Sequence, residues 1–185
     1  ASASSTLTLS LTDVNESPTD IDQIGTTSAA ENIAGASFGT LSTTDPDAGD
    51  THTYTVTGGA DAASFEMSNN TLKFKSNVAA NYEAKQVYGV TVTTTDAGSN
   101  TYSETLSVYI TNVNEAPSFT TTGGLGCCYA YENATAVLTA EASDPDSGGS
   151  LTFSLGTGND TASFSITSAG VLTFNRSPDY EIPTD

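Results

Sequence analysis

The sequence repeats itself with a period of about 100 residues, and this repeat constrains the fold more than any other feature. Short motifs recur in an unchanged order: DVNESP at 13–18 and NVNEAP at 112–117, Glu31-Asn32 and Glu132-Asn133, DPDAG from Asp45 and DPDSG from Asp144, TLKF from Thr71 and VLTF from Val171, NYE at 81–83 and DYE at 179–181. A fixed period with a constant order of motifs is typical of tandem structural repeats. We therefore expect one folded unit per period.

The ends of the repeat predict where the units begin and end. TLTLSLTDVNESP from Thr6 aligns with TLSVYITNVNEAP from Thr105, which closes one full period. This alignment predicts that residues 1–17 are the last strand and the linker of a preceding repeat. Residues 18–115 then form a complete repeat, and residues 116–185 form a truncated repeat that lacks its last strands.

Apolar and polar residues alternate along the complete repeat, as expected for half-buried β-strands. The alternation is clearest in four segments: HTYTVTG at 52–58, TLKFK at 71–75, YGVTVTTT at 88–95 and ETLSVYIT at 104–111. Within the last segment, Leu106, Val108 and Ile110 fall on one face. Gly, Asn, Asp and Ser clusters separate the segments, so about seven short strands in an antiparallel sandwich are expected. The predicted fold class is all-β, with tandem β-sandwiches of which the second is incomplete.

The charge of the chain favours cations as ligands. Lys and Arg number 4 against 22 Asp and Glu, which gives a formal net charge of −18. So negative a field disfavours nucleic acid and anionic membrane surfaces as partners. Acidity is also a means of staying soluble, so the positions of the acids decide between these interpretations. No apolar run is long enough to span a bilayer, and residues 1–13 lack the basic and apolar regions of a signal peptide.

Taken together, the Glu-Asn, Tyr-Glu, Asx-Val-Asn-Glu-x-Pro and Asp-Pro-Asp motifs resemble those of tandem cadherin repeats, of the bacterial cadherin-like kind found in large extracellular adhesins. The resemblance covers nearly the whole chain. It implies immunoglobulin-like Greek-key sandwiches, calcium at the junction between consecutive repeats, and an extracellular or cell-surface location. The partners that it implies are neighbouring repeats of the same or an identical chain, with homophilic or glycan contacts as further candidates.

The resemblance also assigns calcium ligands at two junctions. For the junction between the complete and the truncated repeat it implies side-chain or backbone oxygens of Glu31, Glu83, Asn112, Val113, Asn114, Glu115, Asp144 and Asp146. For the upstream junction it implies Asp13, Asn15, Glu16, Asp45, Asp47 and Asp96. Asn112 stands where the family often has Asp, which lowers the ligand charge and predicts weak sites that fill at millimolar calcium.

The residue types support this assignment independently of the resemblance. Carboxylate, amide and backbone oxygens are hard donors, and calcium takes six to eight of them. The alternative for each Asp and Asn is a turn residue. Zinc is not expected, because His52 is the only imidazole and Cys127 and Cys128 are adjacent. For Tyr82 and Tyr180 we expect packed rings beside a metal-binding Glu.

The function predicted from these features is mechanical. Calcium at each linker is expected to turn a series of sandwiches into a stiff rod, as in a spacer or adhesion module of a bacterial surface or filament protein. No Ser-His-Asp set can be assembled around the single His52, and we expect this residue on a sandwich face. Paired carboxylates could serve glycosidic chemistry, but acids placed at the linker of each repeat do not resemble an active site. The chain is therefore not expected to be an enzyme.

Two alternatives involve assembly or ligand binding. The N-terminal strand of one copy could complete the truncated repeat of another by strand addition, which would make the chain a filament subunit. The segment GGLGCCYAYEN at 123–133 has no good counterpart in the first repeat. It could bind a sugar or a partner, although packing of Tyr129 and Tyr131 under this loop is favoured. Cys127 and Cys128 admit a strained vicinal bridge, two intermolecular disulfides or two free thiols.

Overall fold

The computed structural model describes residue 1 and residues 4–120, 130–146 and 148–182. Two compact units divide the chain, Ala1–Val113 (unit 1) and Asn114–Asp185 (unit 2). Within the described ranges, no helix has both the length and the apolar character needed to cross a membrane.

Unit 1 consists of two four-stranded sheets. Its strands are β1 (Asp20–Ile24), β2 (Ser28–Ala30), β3 (Ser37–Thr44), β4 (Thr53–Gly58), β5 (Phe65–Ser68), β6 (Thr71–Phe74), β7 (Val87–Thr95) and β8 (Thr101–Thr111), with a 3-10 turn at Ala62–Ser64. The first sheet has the order β1-β3-β6-β5 and is antiparallel throughout. The second sheet has the order β2-β8-β7-β4, in which β2 runs parallel to β8 and the other pairs are antiparallel.

Both sheets of unit 1 contribute to one hydrophobic core. Alternate residues of each strand are buried, as the two-residue period of a strand requires. From the first sheet, the rings of Phe38 and Phe74 meet edge to face with centroids 4.8 Å apart. From the second sheet, Leu106, Val108 and Ile110 are 8%, 0% and 4% exposed, so the prediction that they share a buried face is confirmed. Each such side chain contributes roughly 1.5–3 kcal/mol when fully buried.

Two backbone positions explain the tight connections of the first sheet. Strands β5 and β6 are joined by a two-residue turn that starts at Asn69, whose φ is +53°. Asn tolerates this left-handed conformation better than most residues, which suits a short hairpin turn. Gly39 has a φ of +91°, and a Cβ there would lie 2.5 Å from the carbonyl oxygen of Ile24. Only glycine therefore fits where β3 passes the end of β1.

The predicted strands differ from the observed ones mainly at their ends. The strand expected at 104–111 begins at Thr101, because its ladder with β7 extends to the pair of Thr95 and Thr101. His52 was expected within a strand, but it lies just before β4. The described residues of unit 1 form eight strands because the short β2, which has no alternating pattern, pairs with β8.

Unit 2 reproduces the first sheet of unit 1 in part. Its strands are β9 (Ser118–Phe119), β10 (Ala136–Thr139), β11 (Ala142–Ser143), β12 (Phe164–Ile166) and β13 (Val171–Phe174), with a 3-10 turn at Thr161–Ser163. They form a sheet of order β10-β13-β12 and a pair of β9 with β11. The described residues of unit 2 contain no second sheet comparable to β2-β8-β7-β4. Accordingly, no hydrophobic side chain described in unit 2 is buried.

The segment before β1 is exposed. Residues 4–19 contain no strand, and Leu7, Leu9 and Leu11 are 95%, 82% and 90% exposed. In the repeat alignment these three residues match the three buried residues of β8. The assignment of residues 1–17 to a preceding repeat stays a prediction.

Candidate metal centre

Acidic side chains collect at both ends of unit 1. Strands β7 and β8 have Thr95 opposite Thr101 at one end and Val87 opposite Tyr109 at the other. The end near Thr95, called the upstream end, holds Asp13, Asn15, Glu16, Asp45, Asp47 and Asp96. The opposite, downstream end holds Glu31, Glu83, Asn112 and Val113. Because β8 has 11 residues and a strand rises about 3.3 Å per residue, roughly 35 Å separates the two ends.

Asp96 organises the upstream end. It directly follows β7 and is only 6% exposed. Its carboxylate accepts hydrogen bonds from the Asn15 side chain at 2.8 Å, from the Asn100 backbone at 2.7 Å and from the Asn100 side chain at 3.0 Å. Burial by itself would raise the pKa of Asp96, but these hydrogen bonds outweigh burial and lower the pKa. The side chain is therefore held as a charged oxygen donor.

Backbone-to-carboxylate hydrogen bonds order the other acids of the upstream end. The N–H of Glu16 donates to Asp47 Oδ2 at 2.7 Å, and the N–H of Asp47 donates to Asp45 Oδ1 at 2.9 Å. Carboxylate oxygens of Asp13, Glu16 and Asp47 lie within 4.8 Å of one another. Loss of solvent around its carboxyl, together with the charges of Asp47 and Asp13, raises the pKa of Glu16. The ionised cluster thus repels itself unless a cation is present.

Glu31 is the buried acid of the downstream end. Glu31 is 1% exposed. Both of its carboxylate oxygens accept hydrogen bonds from backbone N–H groups. Tyr82 donates to Oε2 at 2.7 Å and Val113 donates to Oε1 at 2.8 Å. A carboxylate oxygen of Glu83 lies within 4.8 Å of one from Glu31, and the Asn112 amide is 3.5 Å from Glu83 Oε1. The structure therefore brings together the predicted ligands that belong to this end.

Unit 2 repeats the hydrogen-bond pattern of the upstream end. The Asn114 side chain donates to the carbonyl oxygen of Glu115 at 3.1 Å, the Glu115 N–H to Asp146 Oδ2 at 2.5 Å, and the Asp146 N–H to Asp144 Oδ1 at 3.0 Å. The same three bonds join the counterpart residues of unit 1, at 3.1, 2.7 and 2.9 Å. These four predicted ligands therefore form an equivalent cluster within unit 2.

Sequence analysis did not propose a further acidic cluster in unit 2. Carboxylate oxygens of Glu132, Asp179 and Glu181 lie within 4.8 Å of one another. The Tyr180 N–H donates to Glu132 Oε2 at 3.2 Å, as its counterpart donates to Glu31 in unit 1. The repeat alignment contained the signal, because Glu132 and Glu181 match Glu31 and the Glu of NYE.

Lysine side chains form ion pairs away from these clusters. Lys73 pairs with Glu66 at 3.0 Å, and Lys85 pairs with Asp61. The predicted ligand Asp45 pairs with His52, whose Nε2 lies 2.9 Å from Asp45 Oδ2. Clusters of hard oxygen donors in a chain with a formal net charge of −18 fit a divalent cation such as calcium.

Three predicted side-chain environments differ from the structure. His52 bonds to a predicted calcium ligand, whereas a position on a sandwich face was expected. The Tyr82 ring packs against the core as expected, but Tyr180 is 85% exposed because unit 2 has no described second sheet to cover it. Tyr131 is 84% exposed, so its predicted packing was wrong. Cys127, Cys128 and Tyr129 lie outside the described residues.

The fold and the site define a class of protein, namely a tandem β-sandwich repeat with oxygen-rich clusters at its ends. No protein-family model matches the sequence, and neither does any curated protein. Solved structures of cadherin repeats do resemble it. Human protocadherin-24 EC1-2 is 24% identical with a TM-score of 0.60, over 84% of this chain and 76% of that chain.

Two structures of cadherin-23 agree with this result. Human CDH23 EC21-23 is 26% identical with a TM-score of 0.57, over 92% of this chain and 58% of that one. Mouse cadherin-23 EC22-24 is 23% identical with a TM-score of 0.54, over 90% of this chain and 56% of that one. The chain therefore has a cadherin-like fold, and the predicted cadherin-type β-sandwich is confirmed.

Proposed function

We propose that this chain is a calcium-rigidified spacer or adhesion module of an extracellular bacterial surface or filament protein. The observation that carries the proposal is the set of three hydrogen bonds found at Asn15, Glu16, Asp45 and Asp47 and again at Asn114, Glu115, Asp144 and Asp146. Turn residues alone do not explain why both repeats hold the corresponding carboxylates with the same three hydrogen bonds. Oxygen clusters built in this way favour calcium.

The proposed ligands of one calcium junction come from two consecutive stretches of the repeat. They are the downstream set of Glu31, Glu83, Asn112 and the Val113 backbone, followed in the chain by Asn114, Glu115, Asp144 and Asp146. The upstream end would provide the same ligands as Asn114, Glu115, Asp144 and Asp146 do, for a junction with a preceding repeat. Glu132, Asp179 and Glu181 would provide the counterparts of the downstream set, for a junction with a following repeat. Bound calcium would balance the negative charge of these carboxylates.

The mechanical effect of calcium follows from charge. Without the cation, carboxylates gathered at a linker repel one another by roughly 1 kcal/mol per pair at 4 Å in water and more near the protein surface. This repulsion favours bent or separated arrangements of consecutive repeats. With the cation, the same carboxylates attract it from both sides, so the linker becomes rigid. The proposed partners are neighbouring repeats, and the proposed role is not enzymatic.

Thermal unfolding and small-angle X-ray scattering of the full chain test this proposal. We expect millimolar calcium to stabilise the chain by about 1–3 kcal/mol relative to excess chelator, and to stiffen the linker. The double variant Asp144→Asn, Asp146→Asn should lose the change in scattering, whereas Glu66→Gln, in a surface ion pair outside the clusters, should keep it. Equal melting and scattering in calcium and chelator at matched ionic strength would rule the proposal out.

A second candidate role is strand addition through residues 6–12. In the repeat alignment Leu7, Leu9 and Leu11 match the buried face of β8, but they are exposed here. We propose that this segment pairs with a sheet outside unit 1, either of a preceding repeat or of another copy. Sedimentation of the full chain distinguishes the two. Concentration-dependent polymers that Leu9→Asp abolishes would indicate a second copy, whereas a monomer at all concentrations would exclude it.

A further inference from the structure

One cluster at the upstream end contains a nitrogen donor. A carboxylate oxygen of Asp45, one of Asp50 and a ring nitrogen of His52 all lie within 4.8 Å of one another. His52 Nε2 is 2.9 Å from Asp45 Oδ2. Donor atoms bound to one zinc ion at about 2.0–2.2 Å lie roughly 3–3.5 Å apart, so only small movements are needed to enclose a cation.

One carboxylate oxygen of this cluster is buried without a partner. The side chains of Asp45 and His52 are 4% and 12% exposed. Asp50 Oδ1 accepts a hydrogen bond from the Thr51 N–H at 2.6 Å, but its Oδ2 is buried and has no hydrogen-bond partner among the described residues. A buried carboxylate oxygen without a partner costs free energy. A cation beside it would remove that cost.

Comparison with unit 2 shows that Asp50 and His52 are not part of the motif that both repeats share. Asp144 is the counterpart of Asp45, and it keeps the hydrogen bond from the residue two positions later. At the positions of Asp50 and His52, however, unit 2 has Gly149 and Leu151. The shared turn and its carboxylate pair therefore form without Asp50 and His52. Neither residue is required for the geometry that both repeats have in common.

We propose that Asp45, Asp50 and His52 bind one divalent transition-metal ion, with zinc as the best match. Two carboxylates and an imidazole are ordinary zinc ligands, and a water completes four-fold coordination. Calcium, which takes six to eight oxygen donors, gains little from an imidazole. The single histidine made a zinc site unexpected from sequence, but folding brings two acids to it. The inference does not depend on the proposed calcium function, although Asp45 belongs to both ligand sets.

Zinc titration of the full chain tests this site by calorimetry and by NMR of the imidazole. His52 is the only histidine, so its ring nitrogen resonances report on this site alone. Cys127→Ser and Cys128→Ser form the background, because thiols would otherwise take up zinc. In calcium-free buffer we expect one zinc per chain and a large shift of one His52 ring nitrogen.

Variants decide whether these three residues hold the metal. His52→Gln and Asp50→Asn should each weaken zinc binding by at least about tenfold, while Asp144→Asn, the counterpart in unit 2, should leave it unchanged. Circular dichroism confirms that each variant is folded. Unchanged His52 resonances in excess zinc, or equal zinc affinity in His52→Gln, would overturn the proposal.

Discussion

Units 1 and 2 contain an equivalent pair of strands, but the phenylalanine rings of this pair are buried to different degrees. Phe65 pairs with Phe74 in unit 1, and Phe164 pairs with Phe174 in unit 2, with ring centroids 4.8 and 4.9 Å apart. The first two rings are 2% and 0% exposed, whereas the second two are half-buried. Local sequence is sufficient to pair the strands. Burial needs the second sheet, which the described part of unit 2 does not contain.

The acidic clusters differ in the same way. Glu31 and Glu132 each accept a hydrogen bond from the backbone N–H of a tyrosine, at 2.7 and 3.2 Å. Glu31 is buried and accepts a second bond from Val113, but Glu132 is exposed. The motif therefore sets the local geometry of the carboxylate. The complete sandwich adds burial and a second hydrogen bond.

The largest expected difference concerns the aromatic pair. Phe74→Ala should destabilise unit 1 by about 3–5 kcal/mol, because it removes a fully buried ring from a packed core. Phe174→Ala should cost less than about 1.5 kcal/mol, because its ring is already partly in water. Urea unfolding of the full chain, followed by near-ultraviolet circular dichroism, measures both. Equal losses of unfolding free energy would mean that Phe74 and Phe174 are buried to the same degree.

The buried acid should show the next largest difference. In chelator, Glu31→Ala should cost about 2–4 kcal/mol, because two buried backbone N–H groups lose a charged acceptor. Glu132→Ala should cost less than about 1 kcal/mol, because water replaces the carboxylate. Thermal unfolding measures both, and Glu31→Gln, which retains one acceptor oxygen, should fall between them. A larger loss for Glu132→Ala would contradict the comparison.

Asp96 should contribute to the acid sensitivity of unit 1. Its pKa is lowered by hydrogen bonds from Asn15 and Asn100, so its stabilising contribution is complete above the unfolded pKa of about 4. That contribution is lost as pH falls through the folded value. Asp96→Asn should therefore flatten the fall in stability below about pH 4. Urea unfolding at a series of pH values checks this, and an unchanged acid limb would show that the hydrogen bonds do not favour the ionised form.

Glu16 should give the smallest effect, with the opposite sign. Its pKa is raised by desolvation and by the charges of Asp47 and Asp13, so ionisation of Glu16 disfavours the folded state. Stability from this group is present at low pH and is lost as pH rises through the folded value. Glu16→Gln should therefore raise the melting temperature slightly at neutral pH in chelator and lower it in calcium. A rise in both conditions would argue against a calcium role for Glu16.

The repeat predicted much of this molecule from its sequence. Period-two alternation predicted the buried face of β8 correctly, because a strand places every second residue on one side. The repeated motifs also predicted a local contact, since the Asp47 N–H donates to Asp45 Oδ1 within a turn of a few residues. Both features depend on residues close together in sequence, so they can be predicted from the sequence alone.

What only the tertiary structure decided depends on contacts between distant residues. The hydrogen bond from Val113 to Glu31 joins positions 82 apart in sequence, and no local pattern shows that this glutamate is buried. His52 and Asp45 are only seven positions apart, but they meet because the connection after β3 returns to β4, which no local pattern predicts. Tyr82 and Tyr180 occupy equivalent motifs, yet among the described residues only Tyr82 packs against a core built from two sheets. Local sequence therefore determines strand pairing and turn geometry, and the assembly of both sheets determines burial, because burial requires surfaces that one strand does not provide.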